Sequence, residues 1–191
     1  MNCSHIREQF PALSQKVYGK PLVYLDNGAT TQKPRQVLDV LQEMQGGMNG
    51  NIHRAVHYLS VQCTERYDRA RATIRDFINA TSVNEVIFTS GTTASLNLLA
   101  YSFGQTYIRP GDRIVITGAE HHSNIVPWQM MCKRTGALLE VWDIDDSGAM
   151  DPKKLEQILD KPGEKPKLLA ITHISNVLGL VNPLADIIRI A

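Results

Sequence analysis

Between residues 60 and 79 apolar positions recur at spacings of three and four, where Cys63, Tyr67, Ala70, Ile74, Phe77 and Ile78 fall on one stripe. That period predicts a long amphipathic helix. Beyond it the pattern changes. Short apolar runs at residues 85–89, 113–117, 138–142 and 168–172 read as strands. They alternate with helical stretches at 94–103, 125–135 and 151–159 and with a last helix starting near Pro183. Such alternation predicts an α/β layered domain around a largely parallel sheet. Upstream, residues 1–20 read as a lead-in helix and a turn at Gly19-Lys20-Pro21, and residues 22–25 as a short strand. Pro34 opens a helix running to about Gln45, which Gly46-Gly47 stops. Residues 48–57 are polar and irregular.

Composition narrows the function classes. With 191 residues the chain fits one domain or part of a larger one. Twenty Lys+Arg against 19 Asp+Glu leave a net charge of +1. That removes the electrostatic case for a nucleic-acid binder or a basic membrane-surface protein. No stretch approaches the roughly 18 consecutive apolar residues of a membrane span. The N-terminus lacks the apolar core of a secretory signal. Cys3, Cys63 and Cys132 are scattered and odd in number, which disfavours a disulfide framework or a zinc finger. A reducing cytoplasm is the expected compartment. The run Asp186-Ile187-Ile188-Arg189-Ile190-Ala191 carries no stop signal, so the chain is expected to be a piece of a longer protein.

Candidate chemistry sits where strands are predicted to end. Ser90-Gly91-Thr92-Thr93 separates an apolar run from a helix. Its glycine permits a tight turn, and a helix N-terminus offers free N–H groups to an anion. It reads as a phosphate cradle or as a plain N-cap. It is neither of the glycine-rich nucleotide fingerprints. Glu120-His121-His122-Ser123-Asn124 follows the run at 113–117. Zinc is a weak reading, because adjacent histidines do not converge as an i, i+4 pair does. The alternatives are a flat imidazole lying on an aromatic cofactor and moving protons, or a loop histidine bonded to backbone. His173-Ile174-Ser175-Asn176-Val177-Leu178-Gly179 offers an amide to a ligand oxygen, or is a simple Ser/Asn turn. Asn51-Ile52-His53-Arg54 could clamp a carboxylate through its arginine, or be a solvated loop. Three of these segments would meet at one rim of a parallel sheet, within reach of one ligand carrying a phosphate and a ring.

The motifs together resemble the SUF-type cysteine desulfurases and selenocysteine lyases of the class V aminotransferase family. The carriers are Tyr24-Leu25-Asp26-Asn27-Gly28-Ala29-Thr30-Thr31-Gln32-Lys33-Pro34, His53-Arg54, Ser90-Gly91-Thr92-Thr93, Glu120 through Gln129, and Ile171 through Gly179. The His-His-Ser-Asn-x-x-Pro-Trp segment is similar to the SUF branch rather than the NifS/IscS branch. The resemblance implies a three-layer αβα fold type I large domain over residues 21–191, with 1–20 as a lead-in segment, and pyridoxal 5′-phosphate as cofactor. By the same resemblance Gly91, Thr92 and Thr93 would hold the cofactor phosphate. His121 would stack on the ring and act in proton transfer, and Asn176 would contact the ring hydroxyl. Ala29 and Thr30 would border the substrate pocket, with His53 and Arg54 near it. Gly28 departs from the alanine of the pattern and loosens that loop slightly.

The implied reaction converts L-cysteine to L-alanine and leaves a persulfide, whose sulfur passes to a SufE- or SufU-type acceptor for iron–sulfur cluster assembly. A homodimer is implied, and neither a nucleic-acid nor a membrane partner. The Schiff-base lysine, the aspartate at the ring nitrogen and the persulfide cysteine of the family have no match. Lys161, Lys165 and Lys167 sit in a Pro/Gly-rich loop, and Cys132 reads as core. The chain alone is therefore expected to show no turnover. The alternatives are a selenocysteine lyase or another member of the family, a non-catalytic interaction partner, and a nucleotide-binding module without its fingerprints.

Overall fold

The computed structural model describes residues 3–54, 56–163 and 166–191. The chain forms two compact units, Met1–Ile87 and Phe88–Ala191.

The first unit is mainly helical. A short helix α1 (Ser4–Arg7) leads to a two-stranded hairpin, β1 (Lys16–Val17) against β2 (Lys20–Pro21). Its two-residue turn has positive φ at Tyr18 and Gly19, the backbone twist that short hairpins favour. Residues 22–25 do not form the expected strand. Val23 is 75% and Leu25 90% exposed, and no neighbouring strand hydrogen-bonds them among the described residues. Helices α2 (Arg35–Gly46) and α3 (Tyr58–Phe77) fall close to their expected positions. A bidentate Arg66–Glu43 pair at 2.8 and 2.7 Å links them. Ser60 and Cys63 of α3 are buried and donate to the carbonyls of Asn51 and Met48.

The expected strand at 85–89 is also absent. A 3₁₀ turn covers Val83–Glu85, and residues 86–89 that follow belong to no strand. The cause is local. Ser82 Oγ accepts the Asn84 amide at 3.2 Å while Glu85 accepts the Ser82 amide at 3.0 Å, a capping box that draws Glu85 into the turn.

The second unit carries the layered fold. Helix α4 (Thr92–Tyr107) precedes β3 (Arg113–Thr117). Then come α5 (Val126–Thr135), β4 (Leu138–Trp142), α6 (Pro152–Leu159), β5 (Leu168–Ala170) and α7 (Leu184–Ile190). The sheet order is β4-β3-β5, with both neighbours parallel to β3. Side chains alternate across β3 and build a core on each face. Ile114 and Ile116 pack with Ala100 of α4 and with Trp128, Met131 and Cys132 of α5. Val115 packs on the other face with Trp142, Leu155 and Ile158 of α6, and Ile187 of α7. The chain moves to one side of β3 through α5 and returns to the other side through α6. Right-handed crossovers require those two helices to lie on opposite faces.

Candidate active site

In an open parallel sheet a crevice forms where adjacent strands send their connections to opposite faces. β3 and β5 are such a pair. The chain leaving β3 goes to α5 on one face, and the chain leaving β5 goes to α7 on the other. His121 lies on the first connection and Asn176 on the second. α4 runs back toward the start of β3, so its N-terminus faces the same rim, and α4 packs against the turn His122–Asn124.

Gly91 is the N-cap of α4, with φ +152° and ψ 178°, a conformation reserved almost entirely for glycine. A Cβ built there meets nothing within 4 Å, so the space above the turn is open. The Thr89 hydroxyl braces the turn, 2.7 Å from Ser95 Oγ and within hydrogen-bond reach of the Gly91 carbonyl at 3.1 Å. No side chain among the described residues caps the helix. The amides of its first turn and the exposed Thr92 and Thr93 hydroxyls therefore remain available to a ligand. That donor set on a 16-residue helix fits a phosphate group.

His121 caps the 3₁₀ turn His122–Asn124. Its Nδ1 accepts the Ser123 amide at 3.1 Å and lies 2.9 Å from Ser123 Oγ. With Nδ1 accepting, the neutral ring carries its proton on Nε2, and the ring is exposed. His122 stands edge-on, with ring centroids 6.2 Å apart. Asn176 opens the turn 176–178, inside a loop closed by the antiparallel bridge between Ile174 and Val181, and its side chain is exposed.

Glu120 is the residue whose role sequence reasoning did not find. It is only 8% exposed. Its Oε1 accepts the Thr117 hydroxyl at 2.5 Å and the Thr172 amide at 2.7 Å. Its Oε2 accepts the Asn124 amide at 2.6 Å, and Asn124 Oδ1 accepts the Trp128 indole N–H at 2.8 Å. Asn182 closes the far side by donating to the Thr172 carbonyl at 2.8 Å. Thr172 thus leaves the strand ladder, and β5 ends at Ala170 rather than at the expected 172. The i, i+4 step from Glu120 to Asn124 was a readable signal; the 52-residue step to Thr172 was not.

The remaining expected site residues belong to the first unit. Ala29 and Thr30 share a turn, their amides donating to the Asp26 carbonyl at 3.2 and 3.0 Å, and the Tyr24 hydroxyl donates to the Thr30 carbonyl at 2.5 Å. His53 has φ +55°, uncommon for a side-chain-bearing residue. Its Nε2 lies 3.4 Å from Asp68, its ring meets Tyr67 edge-on, and its amide donates to the Thr64 hydroxyl at 3.0 Å. Arg54 is exposed in the same bend.

The structure brings Gly91, Thr92, Thr93, His121 and Asn176 to one rim of one sheet. Residues 23–191 match the model of the class V aminotransferases. The chain belongs to the aminotransferase class-V family. It is 47% identical over its whole length to a probable cysteine desulfurase of Halalkalibacterium halodurans, covering 46% of that protein. It is also 47% identical to a cysteine desulfurase of Escherichia coli over 97% of its own length and 45% of the relative's. Among solved structures, the apo cysteine desulfurase of Thermococcus onnurineus superposes with a TM-score of 0.86 at 34% identity, over 98% of this chain and 44% of that one. The E. coli cysteine desulfurase CsdA gives 0.83 at 33% identity, over 100% and 46%. The chain therefore spans less than half the length of these relatives. Its sheet with helices on both faces is that of the fold type I large domain of pyridoxal-phosphate-dependent transferases.

The cysteines and lysines bear on what this rim can do. Cys63 and Cys132 are buried, and burial pushes the Cys132 thiol up, away from the thiolate a nucleophile needs. Lys161 pairs with Glu140, and the Lys167 amide donates to the carbonyl of Arg113 at the opposite end of β3 from His121. Lys165 lies outside the described residues. No helix among the described residues is long and apolar enough to cross a membrane.

Proposed function

We propose that this chain contributes the phosphate and ring contacts of a pyridoxal-phosphate-dependent cysteine desulfurase of the SUF type. Residues 21–191 would then serve as part of its cofactor domain. The observation that carries the reading is the convergence of an uncapped α4 N-terminus, the His121 loop and the Asn176 loop on the crevice between β3 and β5. The naming of the relatives as cysteine desulfurases supports cysteine as substrate.

The Gly91, Thr92 and Thr93 turn would bind the phosphate through backbone amides and two hydroxyls, with the helix dipole favouring the dianion. Pyridoxal phosphate, when bound, supplies an electron sink for carbanionic chemistry at the amino acid. His121 would lie against the ring and hold or release the proton on Nε2, its other nitrogen fixed by Ser123. Asn176 would donate its amide to a ring oxygen. Ala29, Thr30, His53 and Arg54 would serve the substrate, the arginine matching a carboxylate bidentately. The full reaction removes the sulfur of L-cysteine as an enzyme persulfide and leaves L-alanine. The sulfur then passes in the cytoplasm to a SufE- or SufU-type acceptor for iron–sulfur cluster assembly, and the working enzyme is a homodimer.

Cys63 and Cys132 are buried, Lys161 is paired with Glu140, and Lys167 lies at the opposite end of β3 from His121. The 191-residue chain by itself is accordingly expected to bind the cofactor without turnover. Titration of pyridoxal phosphate into the purified chain, followed by its absorbance and competed with inorganic phosphate, tests the reading. Saturable binding weakened about a hundredfold or more by Thr92→Ala with Thr93→Ala is expected, since two lost hydroxyl contacts to a charged group remove about 1.5–3 kcal/mol each. Absence of competition by phosphate, or release of alanine from cysteine by the chain alone, overturns it.

A further inference from the structure

We propose that Glu120 is a positioning residue, a buried polar clamp that ties the His121 loop to the exit of β5 across the crevice and so sets the imidazole against the Asn176 loop. The role given to His121 rests on the cofactor reading above; the clamp itself rests on the hydrogen bonds alone.

The polarity of the network permits one solution. The Trp128 indole can only donate, so Asn124 must present its oxygen to it. That orientation turns the Asn124 NH2 toward Glu120 Oε2. The Thr172 amide, which also can only donate, points at Glu120 Oε1. Position 120 must therefore accept on both of its oxygens, which a carboxylate does and a carboxamide cannot. Thr117 is 1% exposed and holds the same Oε1 from the end of β3. Three elements, β3, the turn His122–Asn124 and the chain leaving β5, are thus fixed to one side chain. The next residue along is His121, whose ring is exposed and, among the described residues, bonded only locally, through Ser123. Its placement at the rim follows from the backbone that Glu120 anchors.

Glu120→Gln has the same shape but faces a donor in either orientation of its amide. With the NH2 toward Asn124, two NH2 groups meet, and Asn124 cannot turn over without losing Trp128. With the NH2 toward Thr172, it opposes a backbone N–H. The double variant Glu120→Gln with Asn124→Asp restores every bond. The carboxylate introduced at position 124 accepts from both the Trp128 indole and the carboxamide NH2 introduced at position 120. The oxygen of that carboxamide accepts from Thr117 and Thr172. A role confined to charge or bulk at position 120 predicts no such pairing.

The experiment compares amide hydrogen exchange at Thr172 and the imidazole proton resonances of His121 and His122 in the 191-residue chain, without cofactor. In Glu120→Gln, exchange at Thr172 is expected to speed up about tenfold or more, the effect of one unmatched buried donor. The His121 resonance is expected to shift, and with it that of His122, which stands edge-on to it in the turn that Glu120 holds. The double variant is expected to return exchange to within about threefold of the wild type and to restore the His121 resonance. If Glu120→Gln does not fold, recovery of a folded chain with native Thr172 exchange in the double variant supports the clamp equally. Unchanged exchange in Glu120→Gln, or a double variant no better than the single one, overturns it. A chain that fails to bind pyridoxal phosphate, but whose exchange follows this pattern, refutes the cofactor reading and leaves the clamp standing.

Discussion

Gly104 on α4 sets two opposing effects against each other. An alanine in the middle of a helix is favoured over glycine by about 1 kcal/mol, because the backbone loses less entropy on folding. At Gly104, however, a Cβ would come within 2.5 Å of Met131 Cγ and 2.7 Å of its Sδ. Met131 is fully buried among Ala100, Trp128 and Cys132, so its inner side-chain atoms have nowhere to go without disturbing α5. Overpacking of this kind costs about 1–3 kcal/mol. The steric effect wins, and Gly104→Ala should destabilise the second unit by about 1 kcal/mol, or roughly 5 °C in Tm for a unit of this size. Trp128 and Trp142 are the chain's two tryptophans, and both lie in that unit, so urea unfolding followed by fluorescence reads it directly. A double-mutant cycle isolates the cause. In a Met131→Ala background the obstacle is gone, and the same Gly104→Ala change should become stabilising by up to about 1 kcal/mol. Gly46, the last residue of α2, has nothing within 4 Å of its Cβ position, and Gly46→Ala should be mildly stabilising by circular dichroism, by about 0.5 kcal/mol. A Gly104→Ala chain as stable as the wild type, or no reversal in the Met131→Ala background, would refute the reasoning.

Other predictions concern charge, backbone and thiols. Burial raises the Glu140 carboxyl, but the hydrogen bonds from Lys161 and Arg113 outweigh it and leave the group below the ordinary carboxylate range. Its contribution is therefore present above its unfolded pKa of about 4.3 and is lost as pH falls through the lower folded value. Glu140→Gln should cost about 2 kcal/mol at neutral pH and flatten the acid limb of a stability-against-pH curve; an unchanged acid limb would show the pair to be inert. Gly91→Ala forces a side chain into φ +152°, at about 1–3 kcal/mol, and should weaken pyridoxal phosphate binding more than it lowers Tm, as measured by titration and by melting. Iodoacetamide should label exposed Cys3 well before Cys63 and Cys132 when followed by mass spectrometry, and equal labelling of all three would contradict the burial of the latter two.

The alternation of runs in the second unit was legible because each of β3, β4 and β5 finds its neighbour inside the same stretch of chain, so local apolarity and actual pairing coincide. Residues 22–25 and 86–89 carry the same kind of apolar run but join no sheet among the described residues. A strand exists only when another strand meets its backbone groups, and that condition is not written in the run itself. The capping box of Ser82 and Glu85 was a local signal that could have corrected one of these readings. The site divides the same way. The loops of Gly91, His121 and Asn176 were expected to meet at one rim from the rule that ligands meet the carboxyl ends of strands, and α4, β3 and β5 do bring them to one rim although no strand precedes α4.

Glu120 escaped because its meaning lies in Thr172, 52 residues away. The clue was nonetheless present as an error. Apolarity carries the β5 pattern through Thr172, yet the ladder stops at Ala170. The Thr172 amide faces a buried carboxylate instead of the next strand carbonyl, and a charge-assisted bond of 2.7 Å is the stronger partner. The two residues by which the strand falls short are Ile171 and Thr172. If the ladder ran on through Thr172, its amide would no longer be available to Glu120, and the link from the exit of β5 to the His121 loop would be lost. The shortened strand and the placement of the candidate site are thus one event, the choice of a single backbone amide between a sheet and a side chain.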